Sequence, residues 1–362
     1  MLVAIGSVSV FGRRGFLAGA TALGLAQTAS AGVLSGGPRD AAIDAFVTSQ
    51  RFQGVILIAK AGKPVFSRAI GLADIEAKRP ATLDTPYAVA SISKWLTSIA
   101  VLRLVEAGRL DLNTPITRYL PDYRADTGAK VTLRRLMSNT SGVPNGFTLA
   151  AKADPDLFKK TFSTAEAVKQ WCSGDLAFEP GTRFDYALTN WILIYAVVEA
   201  ATGKPFAEAM TDLVIGPLGL GRTTPVDPPG MAASYRTVEP LVPQSNIRFD
   251  CMAAGGGYVS TAADLSKAAQ QVFDGGFLPP ARLRELMTVA WPDESYALGG
   301  RVKTLFVDGM PRVFAWETGR AAGYRSVLAH RFDDQTTVVL LNNTSITQKA
   351  MDEFAYALLG TV

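Results

Sequence analysis

Ser91 and Lys94, in the stretch Ala90-Ser91-Ile92-Ser93-Lys94-Trp95, supply a nucleophile and a base three residues apart in a chain with one histidine. A serine hydroxyl is a poor nucleophile until a neighbour removes its proton. The usual remover is a histidine oriented by an acid, which here would have to be His330, and no Gly-x-Ser-x-Gly nucleophile elbow occurs anywhere in the chain. On a helix that begins at Ser91, positions i and i+3 share a face with Cβ atoms about 5–6 Å apart, so Lys94 reaches the Ser91 oxygen directly. Such a pair can run acyl transfer through a serine ester. It is the single Ser-x-x-Lys in the sequence, although the same spacing also fits a solvated pair on a surface helix.

The residues around the pair favour the chemical reading. Residues 92–107 carry Trp, Leu, Ile, Ala and Val on nearly every side, and Gly108 closes the run. A helix apolar all round is a buried one, and glycine is common just past a helix end. Lys94 is therefore expected near a dry interior, the setting in which lysines serve as bases.

The elements that must position this helix come from both ends of the chain. Residues 40–50 place Ile43, Phe46 and Val47 at helical spacing, and 55–60 and 65–69 flank a Gly62-Lys63 turn as a hairpin. Residues 313–316, 324–332 and 336–342 read as three antiparallel strands with a turn at Asp333-Asp334, and Ile346, Ala350, Phe354 and Leu358 mark a closing helix. Prolines at 115, 121, 144, 180, 217, 225, 228 and 229 break the middle into short helices and loops, and residues 191–202 form another strongly apolar helix ending at Gly203. Strands at both ends with helical material between them predict an α/β fold: one antiparallel sheet built from both termini, flanking helices, and an inserted, mostly helical lobe. We place the α/β lobe at residues 40–85 plus 255–362 and the helical lobe at 86–254, with Ser91 at the handover.

Composition narrows the setting. Arg13-Arg14-Gly15-Phe16-Leu17, an apolar run and Ala29-Ser30-Ala31 read as a twin-arginine export signal over residues 1–31, its apolar run far short of the ~20 residues a membrane span needs. The expectation is export to the periplasm or beyond. The formal charge is +4, and Arg13 and Arg14 supply two of those charges, so residues 32–362 carry no basic footprint for nucleic acid. Cys172 and Cys251 make no disulfide framework, though a single bridge between them stays open, and with one histidine and two cysteines no zinc site is implied. His330 reads as a structural strand residue. Oligomeric state is left open.

Several stretches then fall into one pattern. Ser91-Ile92-Ser93-Lys94; Leu104-Val105-Glu106-Ala107-Gly108-Arg109-Leu110-Asp111-Leu112 with Tyr119-Leu120-Pro121; Asn139-Thr140-Ser141-Gly142-Val143-Pro144; Pro180-Gly181-Thr182 with Tyr186; Pro217-Leu218-Gly219-Leu220; Gly255-Gly256-Gly257 with Ser260-Thr261-Ala262-Ala263-Asp264-Leu265; and Thr318-Gly319 resemble, in order, the serine β-lactamase-related hydrolases. That family groups class C β-lactamases with DD-peptidases, D-amino-acid peptidases and carboxylesterases. The resemblance implies the two-lobed β-lactamase/DD-peptidase-like fold and no cofactor. It implies Ser91 as the acylated nucleophile, Lys94 as the partner that takes or shares its proton, and Tyr186 as the phenol that shuttles protons to the leaving group. The backbone N–H groups of Ser91 and Arg320 would form the oxyanion hole, and Thr318 and Gly319 would line a strand edge beside the substrate. Without the resemblance, Tyr186 is one tyrosine among ten, and Gly255-Gly256-Gly257 is a flexible connection or a close-packed strand.

Two departures from the family bear on the substrate. Where the family has Tyr-x-Asn this chain has Tyr186-Ala187-Leu188, so an amide able to hydrogen-bond an acylamino group is replaced by an isobutyl group. Where the family carries Lys or His before Thr-Gly, this chain has Glu317, a carboxylate that would repel the carboxylate of a β-lactam or D-Ala terminus. Both point to a small-molecule ester rather than an amide. The expected function is thus an exported serine hydrolase of carboxylesterase type. A β-lactamase or D-amino-acid peptidase is the alternative within enzymes, and a catalytically silent cell-wall or ligand-binding protein the alternative outside them.

Overall fold

Strand β1, Gly54–Lys60, is Gly-Val-Ile-Leu-Ile-Ala-Lys, and all but its last residue are buried. A strand this apolar needs cover on both faces, and the fold supplies it. In the computed structural model, which describes residues 37–360 except 155, 156, 158, 159 and 246–249, the described residues from Pro38 onward form one unit. The export signal expected over residues 1–31 lies outside the described residues.

Six strands form one antiparallel sheet. Besides β1 they are β2 (Lys63–Ile70), β3 (Arg301–Val307), β4 (Met310–Ala321), β5 (Tyr324–Arg331) and β6 (Thr336–Asn342), in the order β2-β1-β6-β5-β4-β3. The two termini meet in the middle, where Leu57 of β1 lies opposite Val339 of β6, and Val339 opposite Leu328 of β5. Alternate residues serve opposite faces. Ile56, Ile58, Trp316, Val338 and Leu340 pack against helices α1 (Pro38–Gln50) and α5 (Gln348–Leu359), where the Phe46 and Phe354 rings stack with centroids 3.8 Å apart. Val55, Leu57, Leu328, Val339 and Leu341 face the other core. That core contains α2 (Ile92–Glu106), α3 (Leu188–Thr202) and α4 (Ala262–Phe273).

The fold is the expected mixed α/β arrangement, with strands from both ends and helices between. One strand of this sheet went unread in the sequence, the edge strand β3, and β4 is longer than residues 313–316 because its start pairs with β3 and its end with β5. Its turn is Asp308-Gly309, both residues at positive φ (51° and 75°), a two-residue hairpin connection of the kind Asp-Gly favours.

Helices α2 and α3 have no polar face because neither has a solvent face. Ile92, Trp95, Leu96, Ile99 and Leu102 of α2 and Trp191, Ile192, Leu193 and Ile194 of α3 are all buried, each such side chain worth about 1.5–3 kcal/mol. Helix α3 ends where Gly203 enters the left-handed region at φ 69°. Cys172 and Cys251 are both buried thiols, and burial pushes the Cys172 thiol well up. His330 is a buried strand residue: its Nδ1 lies 2.9 Å from Thr337 Oγ1 and its Nε2 3.2 Å from an Asp274 carboxylate oxygen. No helix among the described residues is long and apolar enough to cross a membrane.

Candidate active site

Ser91 stands at the N-cap of α2, after Ala90, whose φ of 47° turns the chain sharply into the helix. That left-handed geometry costs a non-glycine residue about 1–2 kcal/mol. The turn is pinned from two directions: the Val89 N–H donates to Tyr258 O at 2.9 Å, and the Ser326 hydroxyl donates to Val89 O at 3.0 Å. Ser91 is thereby presented at the end of a buried helix and beside the sheet.

One helical turn on, Lys94 is 1% exposed and its ammonium nitrogen lies 2.9 Å from Ser91 Oγ. It also donates to the carbonyl of Gly255, and sits 4.9 Å from the centre of the Tyr186 ring and 5.7 Å from that of Trp191. The glycine run expected as a flexible link or packed strand is instead part of a tight helical turn, Ala253–Gly256. A Cβ on Gly255 would stand 2.9 Å from Trp191 Cβ and 3.4 Å from Leu188 Cδ2. Leu188 thus abuts the backbone that accepts from Lys94, as an apolar wall where an amide would otherwise be.

Tyr186 comes from 95 residues away, and its hydroxyl reaches Ser91 Oγ at 2.9 Å. It lies in an extended segment with no regular structure, ahead of α3, and is 37% exposed. Turn residues 139–142 hold that segment in register: Asn139 O accepts the Asp185 N–H at 2.9 Å and Thr140 O the Gly181 N–H at 2.7 Å. Ser91 Oγ therefore receives both Lys94 and Tyr186, two groups that can each take its proton when themselves deprotonated.

The opposite wall is β4. Strand β3 pairs with it only as far as Arg301 opposite Trp316, so β3 leaves Glu317–Ala321 uncovered on that side. Gly319 lets this uncovered edge touch the turn before Ser91: a Cβ there would meet Val89 O at 2.1 Å and Ser326 Oγ at 2.3 Å. Thr318 is half-buried beside it and Arg320 is exposed.

Glu317 faces inward and is 4% exposed. Its carboxyl fits against Gly300, where a Cβ would lie 1.9 Å from Glu317 Oε1. Burial pushes its pKa up to about 8 despite the opposing pull of Arg301 and Lys303. The group is mostly protonated at neutral pH, so the repulsion of a substrate carboxylate expected from the sequence does not arise there.

Sequence reasoning missed a buried polar cluster behind Tyr186. Ser141 Oγ donates to Asn190 Oδ1 at 2.6 Å and Asn190 Nδ2 to Asn139 Oδ1 at 3.0 Å, while Tyr296 packs edge-on against the Tyr186 ring. Nothing in the local pattern of residues 290–300 marks Tyr296, because its role depends on a contact across the fold.

With this geometry in view, the comparison with known proteins is direct: residues 39–361 match the Beta-lactamase family. The chain belongs to the Beta-lactamase family. Among its relatives, Esterase EstB of Burkholderia gladioli is 37% identical over 195 residues, covering 50% of this chain and 49% of that protein. Protein flp of Staphylococcus aureus (strain MW2) is 27% identical over 172 residues, covering 47% of this chain and 34% of that protein. The match thus spans half or less of the length of these curated relatives. Solved structures share the fold. EstCE1, described as a hydrolase with promiscuous acyltransferase activity, superposes with a TM-score of 0.75 at 21% identity, over 89% of this chain and 97% of that one. The D-amino acid amidase from Ochrobactrum anthropi SV3, in its complex with L-phenylalanine, does so with a TM-score of 0.76 at 21% identity, over 90% and 99%.

Proposed function

We propose that this Beta-lactamase family protein is a serine hydrolase that cleaves carboxylic esters through an acyl-enzyme on Ser91. The observation that carries this reading is the convergence of Lys94 and Tyr186 on Ser91 Oγ, each at 2.9 Å. In the acylation step the Ser91 hydroxyl gives its proton to this pair as Oγ attacks the ester carbonyl. The backbone N–H groups of Ser91 and Arg320 receive the developing oxyanion; the first is free for this because a helix start leaves its N–H groups without intrahelical acceptors. Tyr186 then protonates the departing alkoxide, and water, deprotonated by the same pair, releases the acid and restores Ser91.

Three observations favour an ester over an amide. Leu188 offers no hydrogen bond to an acylamino group, Glu317 is not a cation that would hold a substrate carboxylate, and the relative that matches at 37% identity is named an esterase. Export through the Arg13-Arg14 segment completes the proposal and places the enzyme in the periplasm or outside the cell; fractionation of cells expressing wild type and an Arg13→Lys, Arg14→Lys variant checks it.

Turnover is measured on p-nitrophenyl butyrate, nitrocefin and a D-Ala-D-Ala peptide, with intact-mass analysis after exposure to a fluorophosphonate. The proposal expects p-nitrophenyl butyrate to be the best substrate and one adduct on Ser91. Ser91→Ala should lose the adduct and about 10⁴-fold or more in kcat/KM. Nitrocefin turnover without ester turnover transfers the protein to the β-lactamase reading, and an adduct that persists in Ser91→Ala removes Ser91 as nucleophile.

A further inference from the structure

Tyr186 has a demanding position for a residue on an irregular, partly exposed segment. Its hydroxyl must stay within hydrogen-bonding distance of Ser91 Oγ while its ring stands beside Lys94. The backbone hydrogen bond from Asp185 to Asn139 fixes the height of the segment, and Asn145 Nδ2 reaches Tyr186 O at 3.4 Å, but neither fixes the direction of the Tyr186 ring.

Tyr296 meets that ring. It is 1% exposed and perpendicular to Tyr186, with ring centres 6.1 Å apart at an interplanar angle of 90°. Phe184, two residues before Tyr186 and so on the same side of the extended segment, also packs edge-on against Tyr296, at 5.3 Å and 61°. One buried ring therefore receives two side chains of the segment that carries the phenol. Edge-to-face pairs of this kind contribute orientation as well as buried area.

Tyr296 is itself immobilised. Its backbone exchanges hydrogen bonds with Trp291, its N–H donating to Trp291 O at 3.0 Å and its carbonyl accepting the Trp291 N–H at 3.0 Å. It also bridges to Arg301, whose guanidinium carbon lies 5.2 Å from the Tyr296 ring centre. Burial, with Tyr186 and Glu317 nearby, pushes the Tyr296 phenol well up, so it stays neutral and serves as a packing surface.

We propose that Tyr296 is a positioning residue of this site, its buried ring holding the Tyr186 phenol on Ser91 Oγ, and that its catalytic consequence rests on the acyl-enzyme reading above. Buried beneath the Tyr186 ring, Tyr296 acts through Tyr186.

The test uses the full chain as wild type, Tyr296→Phe, Tyr296→Leu and Phe184→Leu, with active sites counted by fluorophosphonate labelling. Tyr296→Leu should lower kcat per labelled site on p-nitrophenyl butyrate by about 10- to 100-fold with KM within about twofold, the signature of a mispositioned catalytic group. Tyr296→Phe, which keeps the ring, should stay within about threefold of wild type. A second readout is independent of turnover. With 3-fluorotyrosine incorporated at position 186, the ¹⁹F resonance should be one narrow line in wild type and Tyr296→Phe, and broadened or multiple in Tyr296→Leu.

A Tyr296→Leu protein with wild-type kcat per site and a single narrow line overturns the proposal, even if its Tm has dropped, because that pattern belongs to a core residue alone. Should Tyr296→Leu not fold, Phe184→Leu decides: a smaller kcat loss with line broadening upholds the positioning role, and unchanged kcat and line overturn it. If wild type neither turns over ester nor labels at Ser91, the acyl-enzyme reading fails. The ¹⁹F comparison then still settles whether Tyr296 orients Tyr186.

Discussion

Two buried ionisable side chains lie on the elements that build the site, Lys94 on α2 and Glu317 on β4, and the fold treats them differently. Lys94, on α2, points at a hydroxyl and a carbonyl and is within hydrogen-bonding reach of both. Glu317, on β4, lies against Gly300, and the cations near it, Arg301 and Lys303, do not offset the loss of water, so its carboxyl holds its proton up to about pH 8. The difference teaches that burial alone does not make a group reactive. A buried polar group is useful where partners replace the water it has lost, and a buried acid without enough of them becomes a neutral wall.

The comparison breaks most sharply at Lys94. Lys94→Met fills the same volume without the amine and should lower kcat/KM on p-nitrophenyl butyrate by about 10²–10⁴-fold. The same change should raise Tm rather than lower it, because an apolar isostere carries no desolvation cost; a fall in both would mean that Lys94 is structural first.

Glu317→Gln sharpens the other side. Since the carboxyl is already mostly protonated, kcat/KM at pH 7 should stay within about threefold of wild type. Stability should respond instead. Glu317 binds its proton more tightly folded than unfolded, so the stability it contributes is fully present below its ordinary value of 4.5 and is lost as pH rises to about 8. Denaturant unfolding should show Glu317→Gln gaining on wild type by a few kcal/mol between those two pH values and no further above them. An equal gap at pH 4.5 and pH 8 would show that Glu317 is ionised in the folded protein throughout.

Gly300→Ala probes the packing that keeps Glu317 dry. The new Cβ would meet both carboxyl oxygens, at 1.9 and 2.3 Å, so the change should cost about 1–3 kcal/mol. That cost should shrink in a Glu317→Ala background, which a double-mutant cycle measures. The smallest effect is expected at Ala90→Gly. Glycine relieves the left-handed strain at φ 47° but adds freedom to the unfolded chain, so the net should be stabilising by no more than about 1 kcal/mol.

Much of this was legible in local pattern. Ser91 and Lys94 are one helical turn apart, and the apolar run after them predicted a buried helix that the structure places at Ile92–Glu106. The terminal strands were legible because residues 55–59 and 338–341 are continuous apolar runs. Strand β3 was missed although Asp308-Gly309 is a hairpin signal: Arg301, Lys303 and Thr304 dilute its apolar pattern, as an edge strand with one open side permits.

The sequence by itself determined the chemistry available to this protein: a hydroxyl and an amine three residues apart, a leucine where an amide was expected, and a glutamate where a cation was. Those facts follow from covalent order and helical repeat, which act over a few residues. Tertiary structure alone decided that Tyr186 meets Ser91, that Tyr296 backs it, and that Glu317 keeps its proton. Each depends on which surfaces pack together and exclude water, and side chains distant along the chain share a dielectric environment only once the fold has closed around them.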